Sequence, residues 1–218
     1  MENFRDSEET LVQAIRRHAR SFMDGSTRSE RVLSAFDSVD RKSFLPENAK
    51  HLAAQDESIA VAANQTTSQP SLLAFMFDKL NIKSGDRILE IGTGVGYAAA
   101  VVSQLCGGNG SVVTVEIIPE LASKAKNNLE GFQNVKAVVG DGSLGYPESA
   151  PYDVIFLSAG AGQGFNHDPL LAQLSENGRL MVPRKFGELY LFRRDKNTVA
   201  EEVFYSVNFV PLKGQNSG

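Results

Sequence analysis

At 218 residues, with 42% hydrophobic and 22% charged side chains, the chain suits one α/β domain with a small extension. A net charge of −4 gives no cationic footprint for nucleic acid or an anionic membrane, and a single cysteine, Cys106, excludes an intrachain disulfide framework. No apolar run approaches the roughly 20 residues that span a bilayer.

The acidic start, Met1–Asp6, lacks the basic and apolar regions of a signal peptide, so the expected location is cytoplasmic. His18, His51 and His167 are scattered, and no Cys/His cluster has ligand spacing, so no metal site is expected. Cys106 ends an apolar run and reads as a buried structural thiol.

Residues 8–22, with Leu11, Ala14, Ile15 and Phe22, predict an amphipathic helix whose outer face (Arg16, Arg17, Arg20) is solvated. Thr27 and Glu30 have capping-box spacing for a second helix carrying Val32, Leu33, Phe36 and Val39 on one face. Residues 47–69 show no clean period. Pro70 then suits the first turn of an apolar helix, which places Gln65–Gln69 at a helix N-terminus, where free amides favour an anionic group or a simple cap by Ser68 or Gln69.

From Asp86 the pattern alternates. Strand 86–91 leads through glycines to helix 97–106, then strand 112–116, helix 119–130, strand 135–139, strand 154–157, helix 168–175 and strand 179–183. Two further runs, 188–192 and 203–210, are separated by Asp195-Lys196-Asn197 and predict an antiparallel pair at the sheet edge. The expected fold is α/β, a doubly wound, mostly parallel Rossmann-like sheet with a small helical N-terminal region and an antiparallel C-terminal edge. Residues 1–80 would form the helical region and its active-site loop and residues 81–218 the α/β core, in one compact domain overall.

The stretch Leu89-Glu90-Ile91-Gly92-Thr93-Gly94-Val95-Gly96-Tyr97 is a strand, a glycine turn and a helix start, the opening of a nucleotide-binding unit. Gly96 falls one residue early for a dinucleotide fingerprint, which disfavours a nicotinamide dehydrogenase. Glu90, Glu116 and Asp141 fall at the carboxyl ends of the first three strands, which line one crevice in a parallel sheet. Glu116, an acceptor-only carboxylate, suits a pair of ribose hydroxyls, and Asp141-Gly142 the neighbouring base.

The Glu90-x-Gly92-x-Gly94-x-Gly96 pattern resembles the first motif of class I S-adenosylmethionine-dependent methyltransferases. With Arg31–Pro46, Gln65-Thr66-Thr67-Ser68-Gln69-Pro70, Val115-Glu116, Gly140-Asp141-Gly142, Ala150–Asp153, Gly178–Leu180 and Phe209–Leu212, the chain resembles the protein-L-isoaspartate (D-aspartate) O-methyltransferases over about residues 30–213.

The resemblance implies S-adenosyl-L-methionine as methyl donor and, as acceptor, the free carboxylate of isoaspartyl or D-aspartyl residues in damaged proteins. The methyl ester collapses to a succinimide that hydrolyses partly to aspartate. Carried over by position, Ser68 is catalytic. Thr66, Gln69, Pro70, Glu90, Gly92 and Thr93 would bind the cofactor with Gly94, Gly96, Glu116, Ile117, Asp141 and Gly142. Asn64, Gln65, Thr67 and Ala159 would face the acceptor. The family's last two strands are swapped relative to other class I methyltransferases.

Two segments depart from the family pattern: Ala62-Ala63-Asn64 replaces a glycine-containing stretch, and loop 158–168 is longer and glycine-rich. Both are expected to face the acceptor, which keeps another aspartate or carboxylate acceptor as the alternative reading. A binding protein that has lost catalysis is disfavoured because the neighbourhood of Ser68 is retained. No nucleic-acid partner, no membrane and a monomeric state are expected.

Overall fold

The β-formers after Asp86 assemble around one central strand. The structure, a computed structural model, describes residues 9–19, 23, 25–196 and 198–218. Among the described residues the strands are β1 (Arg87–Ile91), β2 (Ser111–Glu116), β3 (Val135–Val139), β4 (Tyr152–Leu157), β5 (Leu174–Pro183), β6 (Phe186–Asp195) and β7 (Thr198–Asn208). They form one sheet in the order β3-β2-β1-β4-β5-β6-β7. β1 to β5 are parallel, and β6 and β7 add antiparallel, as the sequence predicts. The order reverses between β1 and β4, and that switch point is where such sheets open a crevice beyond their carboxyl ends.

Side chains alternate between the two faces, as the strand period requires. Ile88, Val112, Val154, Phe156 and Met181 face one hydrophobic cluster, and Leu89, Ile91, Val113, Ile155 and Leu180 face the other. The first face receives buried residues of α1 (Leu11–His18), α2 (Thr27–Asp37), α3 (Pro70–Leu80), α4 (Tyr97–Cys106) and α5 (Pro119–Asn128). The second is covered by Leu170 of the short α6 (Asp168–Leu171), by Phe165 and by Leu212 near the end of the chain. Cys106 is buried, and burial pushes its thiol up to about 11, which leaves it a poor nucleophile.

Three local expectations are corrected. Ser26, not Thr27, is the N-cap of α2, its hydroxyl accepting from the Ser29 amide; Glu30 is drawn outward to a bidentate pair with Arg16 at 2.6 and 2.9 Å. The helix expected over 168–175 stops at Leu171. Gln173 is tied to the carbonyls of Leu144 and Pro169, and Leu174 already pairs with Tyr152 in the sheet. The edge strands also run longer than their apolar centres, over 186–195 and 198–208.

The outer arginines of α1 are solvated and ion-paired, Arg16 to Glu30 and Arg17 to Glu9. Residues 1–8, Arg20, Phe22 and Asn197 lie outside the described residues.

Residues 59–67, which have no period in sequence, form a small hairpin. The Thr67 amide donates to the Ile59 carbonyl at 2.8 Å, and the Val61 amide to the Gln65 carbonyl at 3.0 Å. Its turn is closed by the Gln65 amide on the Ala62 carbonyl, with Ala63 at φ 51° and Asn64 at φ 57°. Both central residues are left-handed, the type I′ geometry that favours Asn and Gly. Asn64 suits its place, whereas Ala63 carries a Cβ into a conformation that disfavours one. Ala63→Gly is expected to raise stability by about 0.5–1 kcal/mol in chemical denaturation; a loss of stability would show that the turn is not strained.

Candidate active site

The cleft forms where the carboxyl ends of β1, β2 and β4 diverge. β1 delivers Glu90 to its floor, and the chain then turns through Gly92–Gly96 into α4. Gly96 caps that helix at φ 94°, and a Cβ there would stand 2.9 Å from Leu129 Cδ1. A side chain at 96 would therefore be strained and crowded at once.

Glu90 is fully buried. Its Oε2 accepts from the Thr114 hydroxyl of β2, and its Oε1 from the Ser158 hydroxyl just past β4, both at 2.7 Å. Thr114 spends its proton on Glu90, so Thr93 Oγ1, 2.6 Å away, donates to Thr114. Burial pushes the Glu90 carboxyl up to about 8, with the neighbouring Glu116 charge adding to the rise and the two hydroxyls opposing it.

Glu116, at the end of β2, is also buried. Its Oε2 accepts from the Gly94 amide at 2.8 Å and its Oε1 from the Ile118 amide at 2.9 Å. One carboxylate thus pins the glycine turn and the start of the segment leading to α5, and each oxygen keeps lone-pair capacity toward the cleft. Asp141 is held differently: its carboxylate accepts from the Ser143 amide at 2.9 Å and the Gln215 amide at 2.8 Å.

The opposite wall comes from the hairpin and the start of α3. Pro70 takes the first helical position, where its missing N–H leaves nothing unpaired. Gln69 is the N-cap but makes no side-chain capping bond. The free Ser71 amide is instead taken by Asp56 Oδ1 at 2.7 Å. Burial alone would raise the Asp56 carboxyl, but bonds from Ser71, Gln69 and His18 outweigh it and hold the group below the usual carboxylate range.

These walls enclose one cleft. The expected residues Gln65, Thr66, Thr67 and Ser68 line it from the hairpin side, and Glu90, Gly92, Thr93 and Gly94 from β1 and its turn. Glu116, Ile117, Gly142 and Ala159 complete the expected set that meets there. Asn64, Gln69, Pro70, Gly96 and Asp141, also expected at the site, do not line the cleft: Asn64 sits in the hairpin turn, Gln69 and Pro70 start α3 with Gln69 bonded to Asp56, Gly96 caps α4, and Asp141 is bonded to the Ser143 and Gln215 amides.

Sequence reasoning gave no site role to Tyr97, Leu73 or the return of the chain at Val210–Lys213, all of which line the cleft, and placed Ser158 only within loop 158–168 as a whole. Ser158 could have been found, since it follows directly on the fourth strand at the same end of the sheet. Arg41 and Asp56, both buried, were also missed. Among the described residues no group of three or more His, Cys, Asp or Glu could hold a metal ion, and no helix is long and apolar enough to cross a membrane.

A mostly parallel sheet with a cleft at its switch point, a glycine turn opening onto it and an acid closing the next strand defines a Rossmann-like class I methyltransferase. The chain belongs to the protein-L-isoaspartate(D-aspartate) O-methyltransferase family, whose model matches residues 7–217.

It is 44% identical over 193 residues to protein-L-isoaspartate O-methyltransferase 1 of Archaeoglobus fulgidus, covering 86% of this chain and 87% of that one. It is likewise 44% identical over 191 residues to the protein-L-isoaspartate O-methyltransferase of Methanococcoides burtonii, covering 85% and 93%. A solved protein-L-isoaspartate O-methyltransferase superposes with a TM-score of 0.82 at 31% identity over 95% of this chain, which spans 66% of that longer one. A Plasmodium falciparum structure solved with S-adenosyl-L-homocysteine shares the fold at a TM-score of 0.77 and 21% identity, covering 94% and 99%.

The Glu90 carboxyl gives a test of the cleft floor. Between the ordinary value of 4.5 and about 8 the folded chain holds a proton that the unfolded chain has released. Stability from this group therefore falls as pH rises across that window. Glu90→Gln, neutral throughout, is expected to remove that part of the decline when the denaturation free energies of the two proteins are compared across the window. Parallel pH profiles would show that Glu90 ionises normally in the fold.

Proposed function

We infer that this protein transfers the methyl group of S-adenosyl-L-methionine to the free carboxylate of isoaspartyl residues in proteins, a repair carboxyl methylation. The observation that carries the reading is the meeting of Ser68 with the Glu90–Gly94 turn and Glu116 in one cleft, in a chain of this family.

The residues present fit the cofactor. Glu116 has lone pairs left for ribose hydroxyls, Gly142 offers the base a site without a side chain, and Glu90 and Glu116 give the floor carboxyl oxygens that accept hydrogen bonds. When bound, the cofactor supplies a methyl group already activated on a sulfonium. Thr93, Gly94 and Ile117 would complete its pocket, and Gln65 and Ala159 would stand toward the acceptor, while the Thr67 hydroxyl is turned inward to Arg41 and the Ile59 amide.

The protein's own task is then positioning. A carboxylate is a nucleophile at neutral pH without losing a proton, so no strong general base is needed. The Ser68 hydroxyl, half-buried on the cleft wall, donates a hydrogen bond to one acceptor oxygen and leaves the other to attack. The hairpin and the Val210–Lys213 segment limit water around the reacting groups.

Methyl transfer to a pair of synthetic peptides differing only in isoaspartate or aspartate at one position tests the acceptor. Labelling of the isoaspartyl peptide alone is expected; equal labelling of both, or of neither, would sink the reading. Ser68→Ala is expected to slow transfer by about a hundredfold, the usual cost of one such donor, with cofactor affinity by calorimetry unchanged. A matching loss of cofactor affinity would assign Ser68 to the cofactor instead.

A further inference from the structure

Among the described residues the Ser68 side chain has no hydrogen-bond partner, yet both of its neighbours are held by buried ions. Arg41 is 2% exposed and Asp56 5% exposed, and they stand on either side of the segment. Arg41 Nη2 donates to Thr67 Oγ1 at 3.1 Å and to the Glu57 carbonyl at 2.7 Å, while Nη1 donates to the Gln55 carbonyl at 2.6 Å. Thr67 Oγ1 also accepts from the Ile59 amide at 3.2 Å. Asp56 holds the other side, accepting from Gln69 Nε2 at 3.1 Å and from the Ser71 amide at 2.7 Å. Its Oδ2 also lies 2.6 Å from His18 Nδ1, which connects the arrangement to α1.

A helix start needs no such construction. A serine or aspartate at the N-cap would satisfy the Ser71 amide locally. Here the amide is satisfied by a carboxylate fifteen residues earlier, and burial desolvates the Arg41 guanidinium as well. Buried charges are costly to fold around and add little net stability, but they admit only one arrangement of their partners.

We propose that Arg41 and Asp56 are positioning residues for methyl transfer, clamping Thr67 on one side of Ser68 and Gln69 and Ser71 on the other so that its hydroxyl meets the acceptor carboxylate. The proposal rests on the assignment of Ser68. Neither ion lines the cofactor cleft, so their loss acts on the rate of the bound complex rather than on cofactor binding.

Arg41 itself is a poor site for the test, because its removal strands several carbonyls. Thr67→Val keeps shape and removes the acceptor, Thr67→Ser restores the hydroxyl, and Asp56→Asn keeps one oxygen for the Ser71 amide. Single-turnover transfer to an isoaspartyl peptide at saturation, with S-adenosylmethionine affinity measured by calorimetry, is expected to be about tenfold slower in Thr67→Val and Asp56→Asn, a sub-ångström misplacement on the scale where 1 Å costs about a hundredfold. Cofactor affinity should hold, and Thr67→Ser should recover the rate. Wild-type rates in both slow candidates, or a fall in cofactor affinity equal to the fall in rate, would overturn the proposal. Ser68→Ala measured alongside separates the layers: a slow Ser68→Ala beside a wild-type Thr67→Val overturns the clamp alone, whereas a wild-type Ser68→Ala overturns the assignment beneath it.

Discussion

The cleft depends on one buried carboxyl group. The backbone ladder of β1 continues past Glu90, through the Gly92 amide to the Val115 carbonyl and the Ser158 amide to the Ile91 carbonyl. Glu90 adds side-chain bonds to that ladder, with one oxygen on Thr114 from β2 and the other on Ser158 beyond β4. A buried acid is unfavourable unless satisfied, and a satisfied one tolerates few other arrangements. The floor is thereby fixed across three strands, and Glu116 carries the same logic one step outward by pinning the glycine turn and the chain after β2. The result is a pre-formed floor held by side-chain bonds across the strands.

The helical region completes the site by holding its other wall still. α3 is apolar nearly all round, with Leu73, Ala74, Phe75, Met76 and Phe77 all buried, so it has to lie between two layers. The sheet supplies one and α1 with α2 the other, through Ile15, Val32, Leu33 and Phe36. Its one buried acid, Asp78, accepts from Arg28 Nε at 3.0 Å and Ser29 Oγ at 2.9 Å, which ties α2 to α3 by a polar contact as well. A site residue placed just ahead of such a helix inherits its rigidity.

The sequence made the fold legible where period and composition agree. The β-branched runs, the glycine turn and the acids at strand ends all report local chemistry, and β1 to β4, α4 and the position of Pro70 follow from them. Thr27 reads as a cap because its spacing to Glu30 is right, but Ser26, one residue earlier, accepts from the Ser29 amide, and Arg16, far away in sequence, claims the glutamate. The hairpin 59–67 was invisible, since its small polar residues carry no alternation and its register comes from Thr67 bonding to Ile59. Arg41 and Asp56 could not be separated from surface charges, because their burial is a property of the assembled region.

Loop 158–168, expected to depart from the family pattern, is accounted for by the interior of the chain. Loop 158–168 is glycine-rich because other backbone lies directly on it. A Cβ at Gly160 would stand 2.5 Å from Lys185 Cα, and the Gly162 amide donates to the Ser217 carbonyl at 2.8 Å. Arg184 Nη1 donates to the Gly162 carbonyl at 2.7 Å, while Gly160 exchanges backbone bonds with Val210 and Leu212, both at 2.8 Å. The loop's length and its glycines thus serve packing against the final segment. Of this loop Ser158 and Ala159 reach the cleft, and the wall beside them is built from Val210, Pro211, Leu212 and Lys213. An unusual loop at the rim of a site therefore does not imply an unusual acceptor here, because its glycines answer to the chain behind it and not to the space in front.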